Sequence, residues 1–118
     1  MIERRRHYRF LVSGTAVLRL KPSKDEVDGT MRDLSMGGVA VYAYEKIAVG
    51  QPVTAEIKLV DSEGSEIIDT LSGKVVWAQP WGGLHVYGIA FDEMITRETN
   101  TPLFVFMENL KKTTDLSP

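Results

Sequence analysis

The chain has 118 residues, 43% hydrophobic and 25% charged, and no cysteine. That is the length of one globular domain burying about 65% of the surface its unfolded chain exposes, and it excludes a disulfide framework, a thiolate metal site and a cysteine nucleophile. The formal net charge is −2, yet residues 1–9 hold four arginines and one glutamate; +3 therefore sits on the first nine residues and −5 on the rest. A basic arm on an acidic body argues against broad adhesion to nucleic acid and for a small, focused anion site around the arm. The longest apolar run, residues 39–44, is far too short to cross a bilayer, and the charged N-terminus does not lead into a signal-like apolar stretch. No membrane insertion is expected, and the cytoplasm is the expected compartment.

Taken in chain order, the body alternates with period two between turn residues. Residues 11–20 set Val12, Gly14, Ala16, Leu18 and Leu20 against Ser13, Thr15, Val17 and Arg19, the pattern of a half-buried strand. Residues 21–29, with Pro22, Ser23, Asp25 and Asp28, read as a turn-rich connection. Short strands follow at 30–33 and 38–43, and a clear one at 53–60 carries Val53, Ala55, Ile57 and Leu59 on one side. Asp61-Ser62-Glu63-Gly64 is a hairpin-type turn. A long strand over 66–78, bulged near Ser72-Gly73, passes through a turn at 80–83 into a last strand at 84–91.

The period changes only near the C-terminus, where Leu103, Phe104, Phe106, Met107 and Leu110 crowd together at helical spacing. Thr101 offers an N-cap, Pro102 suits the first helical position, and Lys111 and Lys112 suit the negative end of the helix dipole. A start near Thr96 would put Pro102 inside the helix at a cost of about 3 kcal/mol, so the later start is expected. The predicted class is all-β-dominated: an antiparallel sheet that hides its edges by closing into a small barrel, plugged by one C-terminal α-helix.

Two segments carry chemistry. Glu3-Arg4-Arg5-Arg6-His7-Tyr8-Arg9 presents guanidinium forks, which donate in a plane to phosphate oxygens or to the O6/N7 edge of guanine. Asp33-Leu34-Ser35-Met36-Gly37-Gly38 supplies a carboxylate able to accept from the N–H groups on guanine's opposite edge. A guanine nucleotide would use both. Alone, each has a plainer reading: a solvated arm for the first, a turn held by its own side chains for the second.

In order and spacing, Arg5-x-x-x-Arg9, Asp33-x-Ser35-x-x-Gly38, Gly73-Lys74-Val75-Val76-Trp77 and Tyr87-Gly88-Ile89-Ala90-Phe91 resemble the run of motifs in PilZ domains, bacterial receptors for cyclic di-GMP. Only Arg5 and Arg9 satisfy the arginine pair. The resemblance covers roughly residues 4–91, with the helix matching in kind, and implies a six-stranded antiparallel β-barrel with a C-terminal helix. It implies that Arg5 and Arg9 reach phosphate and the guanine Hoogsteen edge, that Asp33 accepts from guanine N1–H and the exocyclic amine, and that Ser35 donates to phosphate or base. By the same resemblance Gly37 and Gly38 allow unusual backbone angles and close ligand approach. Trp77 resembles an aromatic found on the equivalent strand in some relatives, which implies a stacking or edge contact, with packing in the core or at the barrel rim as its other reading. The resemblance also implies, from an arginine at the place of Arg4, two intercalated cyclic di-GMP molecules per protomer, whose four negative charges a further guanidinium would offset.

The division expected is an arm at 1–10 and a barrel with its helix at 11–118. Repulsion among the arginines should leave the arm loosely ordered until ligand bridges it to the barrel, with Tyr8 and Phe10 docking as it closes. The output would then pass to an unidentified protein effector in motility, biofilm or exopolysaccharide control. No metal site, cofactor or catalytic residue is expected, since neither a phosphate loop nor a nucleophile elbow is present in the sequence. Two other readings stand beside this one: a PilZ adaptor without nucleotide, and a small barrel for single-stranded nucleic acid.

Overall fold

Period two governs most of residues 10–116, which are those described by the structure, a computed structural model. The strands are β1 (Phe10–Leu11), β2 (Gly14–Leu20), β3 (Glu26–Ser35), β4 (Gly38–Ala43), β5 (Pro52–Val60), β6 (Glu66–Trp81) and β7 (Leu84–Phe91), followed by α1 (Thr101–Leu116). Hydrogen bonding runs β3-β2-β5-β6-β7-β4, and β4 pairs back onto β3, so six antiparallel strands close a barrel and leave β1 as a stub beside the end of β3. Alternating residues fill the interior: Ala16 and Leu18 from β2, Val53, Ala55 and Ile57 from β5, and Tyr87 and Ile89 from β7 are buried in one cluster. Leu103 and Met107 of α1 join it, so the helix completes the core. α1 packs against β6, whose residues 66–72 extend past the last β7 pair, Gly73↔Phe91. Among the described residues no helix is long and apolar enough to cross a membrane.

Several local expectations are corrected. The single strand expected at 11–20 is two, β1 and β2, which pair with different parts of one β3 edge: Leu11 lies opposite Asp33, Thr15 opposite Thr30. The gap faces a bulge at Arg32, where the β3–β4 register shifts between Met31 and Asp33. The connection expected over 21–29 ends at Asp25, whose carbonyl accepts the Leu20 N–H at 2.8 Å, and Glu26 to Thr30 belong to the ladder with β2. Asp and Gly hide this strand because of their low strand propensity, while Val27 and Met31 turn inward.

In β6 the bulge lies at Val76, between Val75 and Trp77, and not near Ser72-Gly73. Gly73 stays in register opposite Phe91, and the close approach there needs glycine, since a Cβ would fall 2.3 Å from the Ala90 carbonyl oxygen. Pro80 and Trp81 pair with His85 and Leu84, so the turn is Gly82-Gly83, both with positive φ. The Asp61 turn forms as expected: the Asp61 carboxylate accepts the Glu63 and Ser65 N–H groups at 2.9 and 2.8 Å.

Asn100, not Thr101, precedes the first helical turn. Its carbonyl accepts the Phe104 N–H at 2.8 Å, and its side-chain amide donates to Asp69 Oδ2 at 3.0 Å. Pro102 therefore sits in the first turn, where the missing N–H costs nothing. The helix runs on to Leu116, so Lys111 and Lys112 lie short of its last turn, which holds no basic residue.

Candidate functional site

The barrel register brings distant sequence motifs into two lateral rows on one outer face. Asp33, Ala40, Gly88 and Trp77 follow one another across β3, β4, β7 and β6. Ser35, Gly38, Ala90 and Lys74 form the adjoining row. Their sequence neighbours Leu34, Val39 and Ile89 point into the core, which turns these rows outward.

Trp77 owes its direction to the Val76 bulge. Leu71, Gly73 and Val75 are the buried positions of β6, and unbroken alternation would carry Trp77 inward with them. The extra residue turns it out, and the indole lies across Gly88: a Cβ on Gly88 would fall 2.0 Å from Trp77 Nε1. The β3 bulge does the corresponding thing for Arg32, bringing it onto the face that carries Asp33. Arg32 Nε donates to Asp33 Oδ2 at 2.9 Å, and the same guanidinium lies 5.7 Å from the Trp77 ring centroid. Asp33 and Trp77 stand three strands apart, about 14 Å along the sheet, and Arg32 spans the interval. Ala40, beneath, is fully buried.

Asp33 and Ser35 are the two buried polar residues of the described chain, 6% and 5% exposed. The Ser35 hydroxyl donates to the Gly38 carbonyl at 3.3 Å, within its own turn. That turn is tied to the body, because the Phe91 N–H donates to Gly37 O at 2.9 Å and the Ile95 N–H to Met36 O at 2.8 Å. Gly37 and Gly38 were expected to take unusual backbone angles; neither is among the positive-φ glycines. Gly38 is required instead by sheet packing, since a Cβ there would fall 2.4 Å from the Ile89 carbonyl oxygen.

The structure thus brings Asp33, Ser35, Gly38 and Trp77 onto one face, with Gly37 in the turn that joins β3 to β4. Arg4, Arg5 and Arg9, with Tyr8, lie outside the described residues; the chain leaves the described region at Phe10, which is paired with Leu34 beside Asp33. Arg32 is the residue that sequence reasoning missed. Simple alternation sends Asp33's neighbour to the opposite face, and only the bulge, which leaves no plain sequence mark, brings it back. Lys74 also joins the face, as an exposed cation in the Ser35 row. A groove of about 790 Å³ lies elsewhere, lined by Tyr42, Tyr44, Trp81, Leu84, Asp28 and Glu45 among others. Its charged lining is acidic, which suits an anionic ligand poorly.

Comparison with known proteins agrees with this architecture. The PilZ domain model matches residues 3–107. The chain belongs to the PilZ domain family. Among solved structures it is similar to the PilZ domain with c-di-GMP of YcgR from Escherichia coli, with a TM-score of 0.66, 13% identity, and coverage of 98% of this chain and 100% of that one. It is similar to the Bacillus subtilis inhibitor of motility, MotI/DgrA, with a TM-score of 0.71 and 14% identity, over 99% of this chain and 55% of that one. The PilZ domain of CeSA from a cellulose-synthesizing bacterium gives a TM-score of 0.55 at 20% identity, over 88% and 98% of the two chains. At these identities the likeness is one of fold. No curated protein matches the chain.

Proposed function

We propose that this protein is a cyclic di-GMP receptor, regulatory and not catalytic, that acts in the cytoplasm by relaying ligand binding to a protein partner. The observation that carries the reading is the outer row in which Asp33 and Trp77 flank Ala40 and Gly88, beside the point where the arginine-bearing arm joins the barrel. A guanine needs a carboxylate for its N1–H and amine edge, an aromatic or small-residue floor for its face, and cations for its phosphates. This face offers the first two, and the sequence of residues 4–9 offers the third. The E. coli YcgR domain was solved with c-di-GMP, and MotI is described as an inhibitor of motility, which favours motility or surface attachment as the output.

In this reading Arg5 and Arg9 clamp phosphate and the Hoogsteen edge, Asp33 pairs with guanine, Ser35 supports the turn and can turn its hydroxyl to the ligand, and Trp77 stacks. Arg4 supplies the extra charge for a second, intercalated ligand. Ligand draws the arm onto the barrel and creates the surface that the partner reads. Isothermal titration of cyclic di-GMP, with GTP as the control ligand, tests this. Wild type is expected to bind two molecules per chain, with Arg5→Ala and Asp33→Ala each weakening binding about 10- to 100-fold, the range of a lost charge-assisted contact. Hydrogen exchange in residues 1–10 is expected to slow at saturation. A wild type that ignores the ligand contradicts the receptor reading, and saturation at one molecule contradicts the role given to Arg4.

A further inference from the structure

The Arg32 guanidinium holds the two groups that a guanine would need, the Asp33 carboxylate at 2.9 Å and the Trp77 face at 5.7 Å. A guanidinium resembles the Watson–Crick edge of guanine: both are planar, both present adjacent N–H donors to a carboxylate, and both stack on an aromatic ring. Asp33 is 8% exposed at its side chain, whereas Arg32 keeps 37% of its own in solvent, so the arginine can swing outward while the carboxylate stays in place. The bulge gives Arg32 this reach: in regular alternation β3 would hold it and Asp33 on opposite faces.

We infer that Arg32 is an internal stand-in for guanine, a gate that occupies the base subsite of the free protein and must leave before ligand can pair with Asp33 and stack on Trp77. This inference rests on the receptor reading above and adds to it a competition that sets apparent affinity: ligand binds only the fraction of molecules whose gate is open. The gate also keeps the carboxylate neutralised and the indole covered while the site is empty, which lowers the cost of holding a buried carboxylate on the barrel wall.

The test uses cyclic di-GMP and a Trp81→Phe background, which leaves Trp77 as the one tryptophan of a chain that has two. Two gate variants are compared with Arg32 intact: Arg32→Ala, and Arg32→Lys, which keeps the charge and loses the planar fork. Dissociation constants are expected to fall about three- to tenfold in Arg32→Ala and by less in Arg32→Lys. Trp77 emission of the free protein is expected to change on Arg32→Ala, while emission of the saturated complexes stays the same, a signature that a purely structural role for Arg32 would not give. Binding by Arg32→Ala where the intact protein shows none would be the same gate fully shut. Constants unchanged or raised in both folded variants overturn the gate and leave the receptor reading standing. Absence of binding in all three proteins overturns both.

Discussion

Gly88 decides the shape of the site at the scale of a single residue. Its missing Cβ is the space into which the Trp77 indole settles, 2.0 Å from where that carbon would be. Gly88→Ala is expected to expel the indole, destabilise the fold by about 1–3 kcal/mol as overpacking does, and shift Trp77 emission in a Trp81→Phe background. Urea unfolding with fluorescence detection checks this, and unchanged stability and emission would show that the indole does not depend on the gap. Gly88 was visible in the sequence as part of a motif, but its reason was not, because it depends on a register linking β6 to β7. The same holds for Gly38, whose value lies in close approach to Ile89 and not in a special backbone angle. Asp33 and Ser35 were legible as chemistry, whereas Arg32 was not, since alternation alone sends it to the wrong face.

At the scale of elements, the strands with strong alternation were legible and the irregular ones were not. β5 runs Val53, Ala55, Ile57 and Leu59 into the core as its sequence demands. The first half of β3 is masked by Glu26, Asp28 and Gly29, and its pairing is set by the partner strand β2. The two bulges, at Arg32 and Val76, aim the site and carry no local signature, because each is fixed by the neighbouring strand's register. The helix was legible in existence and face; its first turn begins one residue earlier than expected, after Asn100, whose tether to Asp69 only the folded chain brings together. Met107 is 1% exposed in the barrel core, so Met107→Ala is expected to cost about 2–5 kcal/mol. Thermal unfolding followed by circular dichroism measures it. A loss well under 1 kcal/mol would mean that the barrel stands without its helix.

For the whole molecule, the barrel offers two different faces: a groove with acidic lining at Asp28 and Glu45, and the row from Asp33 to Trp77 at the root of a basic arm. Charge distribution, legible from the first nine residues onward, is the reason an anionic ligand is proposed for the second. Closure of the barrel then turns three separated motifs, those around Asp33, Trp77 and Gly88, into one surface, a step that period-two reading could anticipate in class but not in register. The most direct test of the account is the change in ¹H–¹⁵N amide and indole chemical shifts as cyclic di-GMP is added to the wild-type protein. The account predicts the largest changes at Arg32 to Gly38, at Gly88 and at the Trp77 indole N–H, with Thr15, Tyr44 and the Trp81 indole little affected. Changes centred on Tyr42, Tyr44 and Trp81, or none at saturating ligand, would contradict it.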